Sequence, residues 1–102
     1  MTIKKLLIAN RGEIASRIIR SAHDMGIATV AIYTEPDSNS PYVRQANEAF
    51  KLETSYLDSK EILNIASKAN VDAIHPGYGF LSENYNFANQ VKKANLKWVG
   101  PS

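Results

Sequence analysis

Residues 75–84 carry the pattern most suited to contacting a ligand. They read His-Pro-Gly-Tyr-Gly-Phe-Leu-Ser-Glu-Asn and follow a short apolar run. The glycines on either side of Tyr78 permit positive φ and close backbone approach, and the tyrosine offers a flat ring with a hydroxyl. The pattern predicts a loop shaped to position a ligand. The alternative, equally open from these residues, is a tight turn whose Phe80 and Leu81 plug the core.

Groups that could perform catalysis are scarce. Ser82 stands beside Glu83, but no histidine is placed to activate its hydroxyl, so we predict a helix cap there. The chain has no cysteine, which excludes disulfides, thiolate metal sites and thiol catalysis. Its histidines, His23 and His75, lie too far apart in sequence to suggest a metal cluster. We therefore predict no catalytic residue and no metal ligand in this chain.

The turn at residues 10–13, Asn-Arg-Gly-Glu, stands where a dinucleotide-binding protein places its phosphate-binding glycines. Only one glycine is present, whereas that fingerprint needs three. Glu13 also puts a carboxylate at the positive end of the following helix, where a phosphate would otherwise bind. Glu35 stands where a ribose-binding acid would lie, but without the glycines we interpret it as a loop charge. The pattern disfavours a dinucleotide site.

A set of charged residues is spaced to share one face of the first helix. Glu13, Arg17 and Arg20 lie at i, i+4 and i+7. Taken alone, this spacing favours a solvated face with a weak salt bridge.

Alternating strands and helices must position these groups. Apolar runs predict five strands, over residues 3–9, 27–33, 49–52, 71–74 and 97–99. Helical spacing predicts helices after residues 10–12, at 42–46, after Ser59, and after a cap at Ser82 or Asn84, while residues 34–41 are predicted to be a loop. This order predicts an α/β fold, a Rossmann-like doubly wound parallel sheet of about five strands. Ligands bind beyond the carboxyl ends of such strands.

Length and composition narrow the function further. A chain of 102 residues with 44% hydrophobic and 22% charged residues predicts one globular domain, small for an enzyme that encloses two substrates. Twelve basic residues are interleaved with ten acidic ones, and a net charge of +2 gives no reason to expect nucleic-acid binding. No apolar run approaches the roughly 20 residues of a membrane span. With no secretory pattern at its start, the chain is predicted to be cytoplasmic.

Three segments together resemble one family. Residues 8–15 (Ile-Ala-Asn-Arg-Gly-Glu-Ile-Ala), 75–84 and 98–101 (Trp-Val-Gly-Pro) are similar, in the same order, to motifs of the biotin carboxylase N-terminal domain. That domain is the first part of the ATP-grasp subunit of biotin-dependent carboxylases. The resemblance implies that residues 1–102 form a pre-ATP-grasp type domain. It also implies that the chain is a fragment of a larger ATP-grasp subunit.

The resemblance implies a ligase activity that needs more than this chain. In the family, ATP and Mg²⁺ activate bicarbonate, and its CO₂ passes to biotin on a carrier domain. The groups that hold ATP and metal belong to other domains, so this chain alone is expected to be inactive. The implied partners are the biotin carboxyl carrier domain, the ATP-grasp and C-terminal domains of the same subunit, the carboxyltransferase, and a second subunit in a homodimer.

The resemblance also implies roles for individual residues. Tyr78 and Gly79 would lie against biotin or bicarbonate, and Glu83 would pair with an arginine from another domain. Arg17 and Arg20 match arginines of the homodimer contact. We predict a subunit of the acyl-CoA carboxylase type, as in acetyl- or propionyl-CoA carboxylase, although pyruvate, methylcrotonyl and urea carboxylases share the motifs. The alternative is a free-standing α/β module that binds a small molecule or nucleotide without catalysis.

Overall fold

The computed structural model describes residues 2–100, so Pro101 of the last motif lies outside the described residues. Within that range the strands are β1 (Lys5–Ile8), β2 (Ala28–Tyr33), β3 (Glu48–Lys51), β4 (Ala73–His75) and β5 (Lys97–Trp98). The helices are α1 (Gly12–Asp24), α2 (Pro41–Gln45), α3 (Ser59–Ala69) and α4 (Tyr85–Lys93), with a 3₁₀ helix at Glu35–Asp37. All strand pairs are parallel, in the order β3-β2-β1-β4-β5. The predicted doubly wound α/β fold is confirmed.

Strand β1 lies in the middle of the sheet. Its Leu7 pairs with Val30 of β2 on one side and with Ile74 of β4 on the other. The chain therefore winds outward from β1 in two directions, and the loops that follow β1 and β4 border the same crevice. In open α/β sheets this reversal of strand order is where ligands bind.

Both faces of the sheet are covered, which explains why β1 is apolar from Leu6 to Ile8. Leu6 and Ile8 point to one face and pack with residues of α1 and α2. Leu7, between them, points to the other face and packs with residues of α3 and α4. All three side chains are buried.

Several predicted boundaries are wrong by one or two residues, for local reasons. β1 begins at Lys5 because a side chain, that of Asp72, accepts the N–H groups of Lys4 and Lys5 at 2.8 Å each. β4 begins at Ala73 because Val71 still donates to Ala66 O, within the C-terminal turn of α3. Residues 34–41 were predicted to be a loop throughout, yet they contain the 3₁₀ helix.

Helix α4 is capped by Asn84, one of the two predicted caps. The Asn84 Oδ1 accepts the N–H of Phe87 at 2.9 Å. Ser82 is buried instead, and its N–H donates to Gly79 O within the turn before the helix. The segment between β4 and α4 is therefore closed by its own hydrogen bonds before the helix starts.

Candidate functional site

The loops after β1 and β4 are joined at the carboxyl edge of the sheet by one side chain. Asn10 is buried, and its Nδ2 donates to Pro76 O at 2.8 Å and to Tyr78 O at 2.6 Å. Its Oδ1 accepts the N–H of Arg11 at 2.8 Å. Residues 76–83, termed here the carboxyl-edge loop, are thus fixed to the end of β1. Sequence reasoning missed Asn10 as a functional candidate, although its place directly after a buried strand was a usable signal.

The two glycines of the carboxyl-edge loop have similar backbone conformations and different surroundings. Gly77 has φ +67° and Gly79 has φ +69°. A Cβ on Gly77 would lie 2.7 Å from Asn10 Nδ2, whereas a Cβ on Gly79 would meet no atom within 4 Å. Gly77 therefore permits close packing onto the β1 loop. Gly79 leaves its backbone open to an approaching group.

Part of the carboxyl-edge loop packs inward and part is open. Leu81 is buried, and the Phe80 ring lies 5.3 Å from the Tyr56 ring, measured between centroids. Tyr78 is 78% exposed, and Glu83 is exposed. Within residues 2–100, neither of these two side chains makes a hydrogen bond or ion pair. The core-plug interpretation therefore holds for Leu81 but not for Phe80, which is 43% exposed, and the role of Tyr78 in positioning a ligand stays a prediction.

His75, the last residue of β4, supports the start of the loop. Its Nδ1 accepts the N–H of Gly77 at 3.1 Å. Burial lowers the pKa of His75 below its usual 6.5, which favours the neutral ring that this bond requires. His75 and Tyr78 also line a groove of about 440 Å³ beside α1, together with Arg17 and a set of apolar side chains. His75 was not predicted as a site residue.

A hydrogen-bond network around the buried Asp37 carboxylate ties further loops to the same edge. The Arg11 guanidinium donates from Nε and Nη2 to the two oxygens of Asp37, at 2.6 Å each. Tyr56 donates to Asp37 Oδ2 at 2.5 Å, and its hydroxyl lies 2.8 Å from that of Tyr42. Arg11 lowers the pKa of Asp37, and burial raises the pKa of Tyr42. That these residues meet was not predictable from the sequence, because they come from four separate segments.

The predicted charged face of α1 is present but lies apart from this network. Arg20 Nη2 is 3.3 Å from Glu13 Oε1, and Arg17 makes no ion pair to any residue from 2 to 100. Both arginines are exposed. Glu35 is held by Lys51 at 2.7 Å in an exposed pair, as a loop charge would be.

The exposed groups of the carboxyl-edge loop are of the kinds that make hydrogen bonds and ring contacts. Across residues 2–100, no group of three or more His, Asp or Glu side chains is arranged to hold a metal ion. No helix in that range is both long and apolar enough to cross a bilayer. What the carboxyl-edge loop presents is a flat ring, its hydroxyl, an open glycine backbone and one carboxylate.

Comparisons with known proteins agree on one family. The family model described as "Biotin carboxylase, N-terminal domain" matches residues 2–102. The chain is 54% identical over 105 residues to the biotin-dependent acyl-coenzyme A carboxylase alpha3 subunit of Mycobacterium leprae, covering 98% of this chain and 18% of that protein. It is 51% identical over 105 residues to biotin carboxylase 1 of Bacillus subtilis, covering 98% of this chain and 23% of that protein.

A solved structure gives the same result. The biotin carboxylase domain dimer of Hydrogenobacter thermophilus 2-oxoglutarate carboxylase, in complex with MgADP, ADP and bicarbonate, matches with a TM-score of 0.95. The identity is 43%, over 99% of this chain and 23% of that one. The chain thus spans less than a quarter of each of these proteins. Since family model, sequence and fold agree along nearly its whole length, the chain belongs to the biotin carboxylase N-terminal domain family.

Proposed function

We propose that this chain is the N-terminal domain of an ATP-dependent biotin carboxylase subunit, and that its carboxyl-edge loop forms one wall of the pocket for biotin and bicarbonate. Membership of the family supports this, as does the bicarbonate and MgADP found in the similar Hydrogenobacter domain. The relatives carry this segment as a small share of a longer chain. That favours a part of a carboxylase over a free-standing binding module.

The observation that carries the proposal is the exposure of Tyr78 on a fixed backbone. The side chain is 78% exposed, while the carbonyl of the same residue is held by buried Asn10 at 2.6 Å. An exposed aromatic ring on a backbone that hydrogen bonds hold in place is suited to contact a ligand with little loss of conformational freedom. The ring can pack on an apolar bicycle such as that of biotin, and its hydroxyl can bond a ureido or carboxylate oxygen.

Gly79 adds a second type of contact. Within residues 2–100 its N–H donates to no acceptor, and no atom would obstruct a group above its α-carbon. A free backbone amide beside an aromatic ring suits a ligand that combines an apolar ring with carbonyl oxygens. The residues present therefore fit biotin, which when bound supplies the nitrogen that takes up CO₂.

The reaction needs groups that we place outside this chain. The complete subunit would act as a ligase, using ATP and Mg²⁺ to activate bicarbonate before transfer to biotin on a carrier domain. We assign MgATP to the ATP-grasp domain of the subunit. This chain would bind and orient biotin and bicarbonate at one wall of the pocket. Glu83, which is exposed and unpaired within residues 2–100, would form an ion pair with an arginine from a neighbouring domain. The carrier domain and a carboxyltransferase would be partners, with an acyl-CoA as the final acceptor.

The test is Tyr78→Phe in the complete subunit, which keeps the ring and removes the hydroxyl. Because this hydroxyl has no partner within residues 2–100, the melting temperature should stay unchanged. Biotin-dependent ATP turnover should fall by the worth of one hydrogen bond, about 0.5 to 1.5 kcal/mol, or roughly two- to tenfold.

Tyr85→Phe is the matched control, since Tyr85 is 74% exposed and begins α4. It should leave both turnover and stability unchanged. A lower melting temperature for Tyr78→Phe with normal kinetics would show that the hydroxyl is structural, and the proposed wall would then be rejected.

A further inference from the structure

Asn10 uses both of its N–H donors and its carboxamide oxygen on the two loops that border the crevice. Its Nδ2 donates both hydrogens, to Pro76 O and to Tyr78 O, and its Oδ1 accepts the N–H of Arg11. Only 1% of the residue is exposed. The three partners leave no ambiguity in the orientation of the carboxamide, because two are carbonyls and one is an N–H.

No other side chain of this length offers the same set of bonds. Aspartate would face two carbonyl oxygens with a carboxylate, and leucine would leave both carbonyls unsatisfied in a buried site. Serine has one donor and is too short to span two carbonyls. The site therefore requires the carboxamide for its chemistry and not only for its volume.

The fit between Asn10 and the loop is also close in space. A Cβ on Gly77 would lie 2.7 Å from Asn10 Nδ2 and 3.1 Å from Asn10 Cβ. Asn10 donates to the carbonyls of Pro76 and Tyr78, the residues on either side of Gly77. It therefore holds the loop backbone on both sides of that glycine. Tyr78 and Gly79 follow directly from the gripped peptide units.

We propose that Asn10 is the positioning residue of the site: by holding the carbonyls of Pro76 and Tyr78, it sets the direction in which the Tyr78 ring and the Gly79 amide face the ligand. The inference rests on the proposed function of the carboxyl-edge loop and deepens it. Asn10 acts through the loop and does not itself contact the ligand. Its loss changes how the loop is presented while the strands stay in place.

The experiment uses the complete subunit with Asn10→Asp and Asn10→Ala. Hydrogen–deuterium exchange of the peptide covering residues 76–83 should become at least about tenfold faster in both, because the loop loses its anchor. The KM for biotin should rise about tenfold or more, since small displacements of a positioning group are costly, while the KM for MgATP should stay unchanged. A loss of stability alone would not separate the two KM values in this way.

Asn70→Ala is the matched control. Asn70 ends α3 with φ 56°, so alanine there is strained, yet it lies before β4 at the opposite edge of the sheet. This variant should lower the melting temperature and leave both the loop exchange and the KM for biotin unchanged. If Asn10→Asp fails to fold, Asn10→Ala, which introduces no charge, decides the outcome.

The possible failures are distinguishable. Unchanged loop exchange in a folded Asn10 variant would overturn the inference, even if Tyr78→Phe still impaired turnover and so upheld the proposed function. Faster loop exchange with unchanged kinetics would uphold the grip of Asn10 on the loop and overturn the role of the loop in binding biotin. A KM for biotin raised equally by Asn70→Ala would also overturn the inference, because general destabilisation would then explain it.

Discussion

At the scale of single residues, alanine substitutions of Gly77 and Gly79 should have different effects. The first should disturb packing inside the protein, and the second should cover a backbone amide that is open to a ligand. Alanine at either position is destabilised by the positive φ, by about 1 to 2 kcal/mol. Gly77→Ala must also displace Asn10 or Ile14, whose Cγ2 lies 3.0 Å from the added Cβ, and overpacking of this kind costs about 1 to 3 kcal/mol more. In Gly79→Ala the added Cβ would meet no atom within 4 Å, so only the positive φ should lower the free energy of unfolding.

We therefore expect urea unfolding to show a clearly larger loss of stability for Gly77→Ala than for Gly79→Ala. Gly79→Ala should nevertheless reduce biotin-dependent turnover, because its methyl group covers the open amide. Equal losses of stability would contradict the packing of Gly77 against Asn10, and full activity of Gly79→Ala would contradict the open face of the loop.

The residues of the site were only partly predictable from the sequence, for a physical reason. Tyr78 could be singled out because the glycines beside it are a local signal. The position of Asn10 after a buried strand was a signal, but its role was not readable, because its partners are backbone carbonyls far along the chain and carbonyls carry no sequence signature. Asp37 was hidden in the same way, since a loop rich in polar residues does not show which one is buried.

At the scale of elements, Arg11, Asp37 and Tyr56 connect the segments that follow β1, β2 and β3. The Arg11 hydrogen bond lowers the pKa of Asp37 below its usual 3.8. Above pH 3.8 the carboxyl is ionised in the folded and unfolded chain alike, and the network stabilises fully. As the pH falls below that value, the unfolded chain takes up the proton first, so the free energy of unfolding decreases until the folded carboxyl is also protonated.

Asp37→Asn should reduce the free energy of unfolding at neutral pH by about 1 to 3 kcal/mol, because it removes a charged acceptor from a buried site. It should also flatten the acid dependence, as measured by urea unfolding between neutral and low pH. Glu35→Gln, in the same 3₁₀ helix, is the control. Because the ion pair of Glu35 with Lys51 is exposed, its loss should change the free energy of unfolding little. Similar effects of the two substitutions would contradict the network.

The elements themselves were more predictable than their ends. Apolar runs and helical spacing located the strands and helices because burial of a face imposes that periodicity. The ends of the elements depend on individual hydrogen bonds, such as that from Lys5 N to Asp72 Oδ2. The periodicity of apolar residues does not predict such bonds. The 3₁₀ helix at Glu35–Asp37 was missed because a turn with proline, aspartate and serine looks like any loop.

At the scale of the whole molecule, we propose that Arg17 and Arg20, the exposed arginines of α1, form the contact between two subunits that the family resemblance implies. Charge reversal of both, Arg17→Glu with Arg20→Glu, should weaken a dimer of the complete subunit at least about tenfold, as seen by analytical ultracentrifugation. Arg44→Glu is the control, because Arg44 is an exposed arginine on α2 that bonds only the Asn39 carbonyl among the described residues. A dimer equally resistant to both changes would place the contact elsewhere.

The central position of β1 has a consequence for the order of folding. Its partner β2 comes soon after it in the chain, but β4, which covers its other edge, is made only much later. Contacts so distant in sequence form slowly, and an uncovered strand edge invites pairing with another chain. During synthesis the edge of β1 therefore stays open until His75 has left the ribosome. The carboxyl-edge loop follows β4 directly in the chain, so we expect the exposed Tyr78 and Glu83 to take up their positions only after that edge is closed.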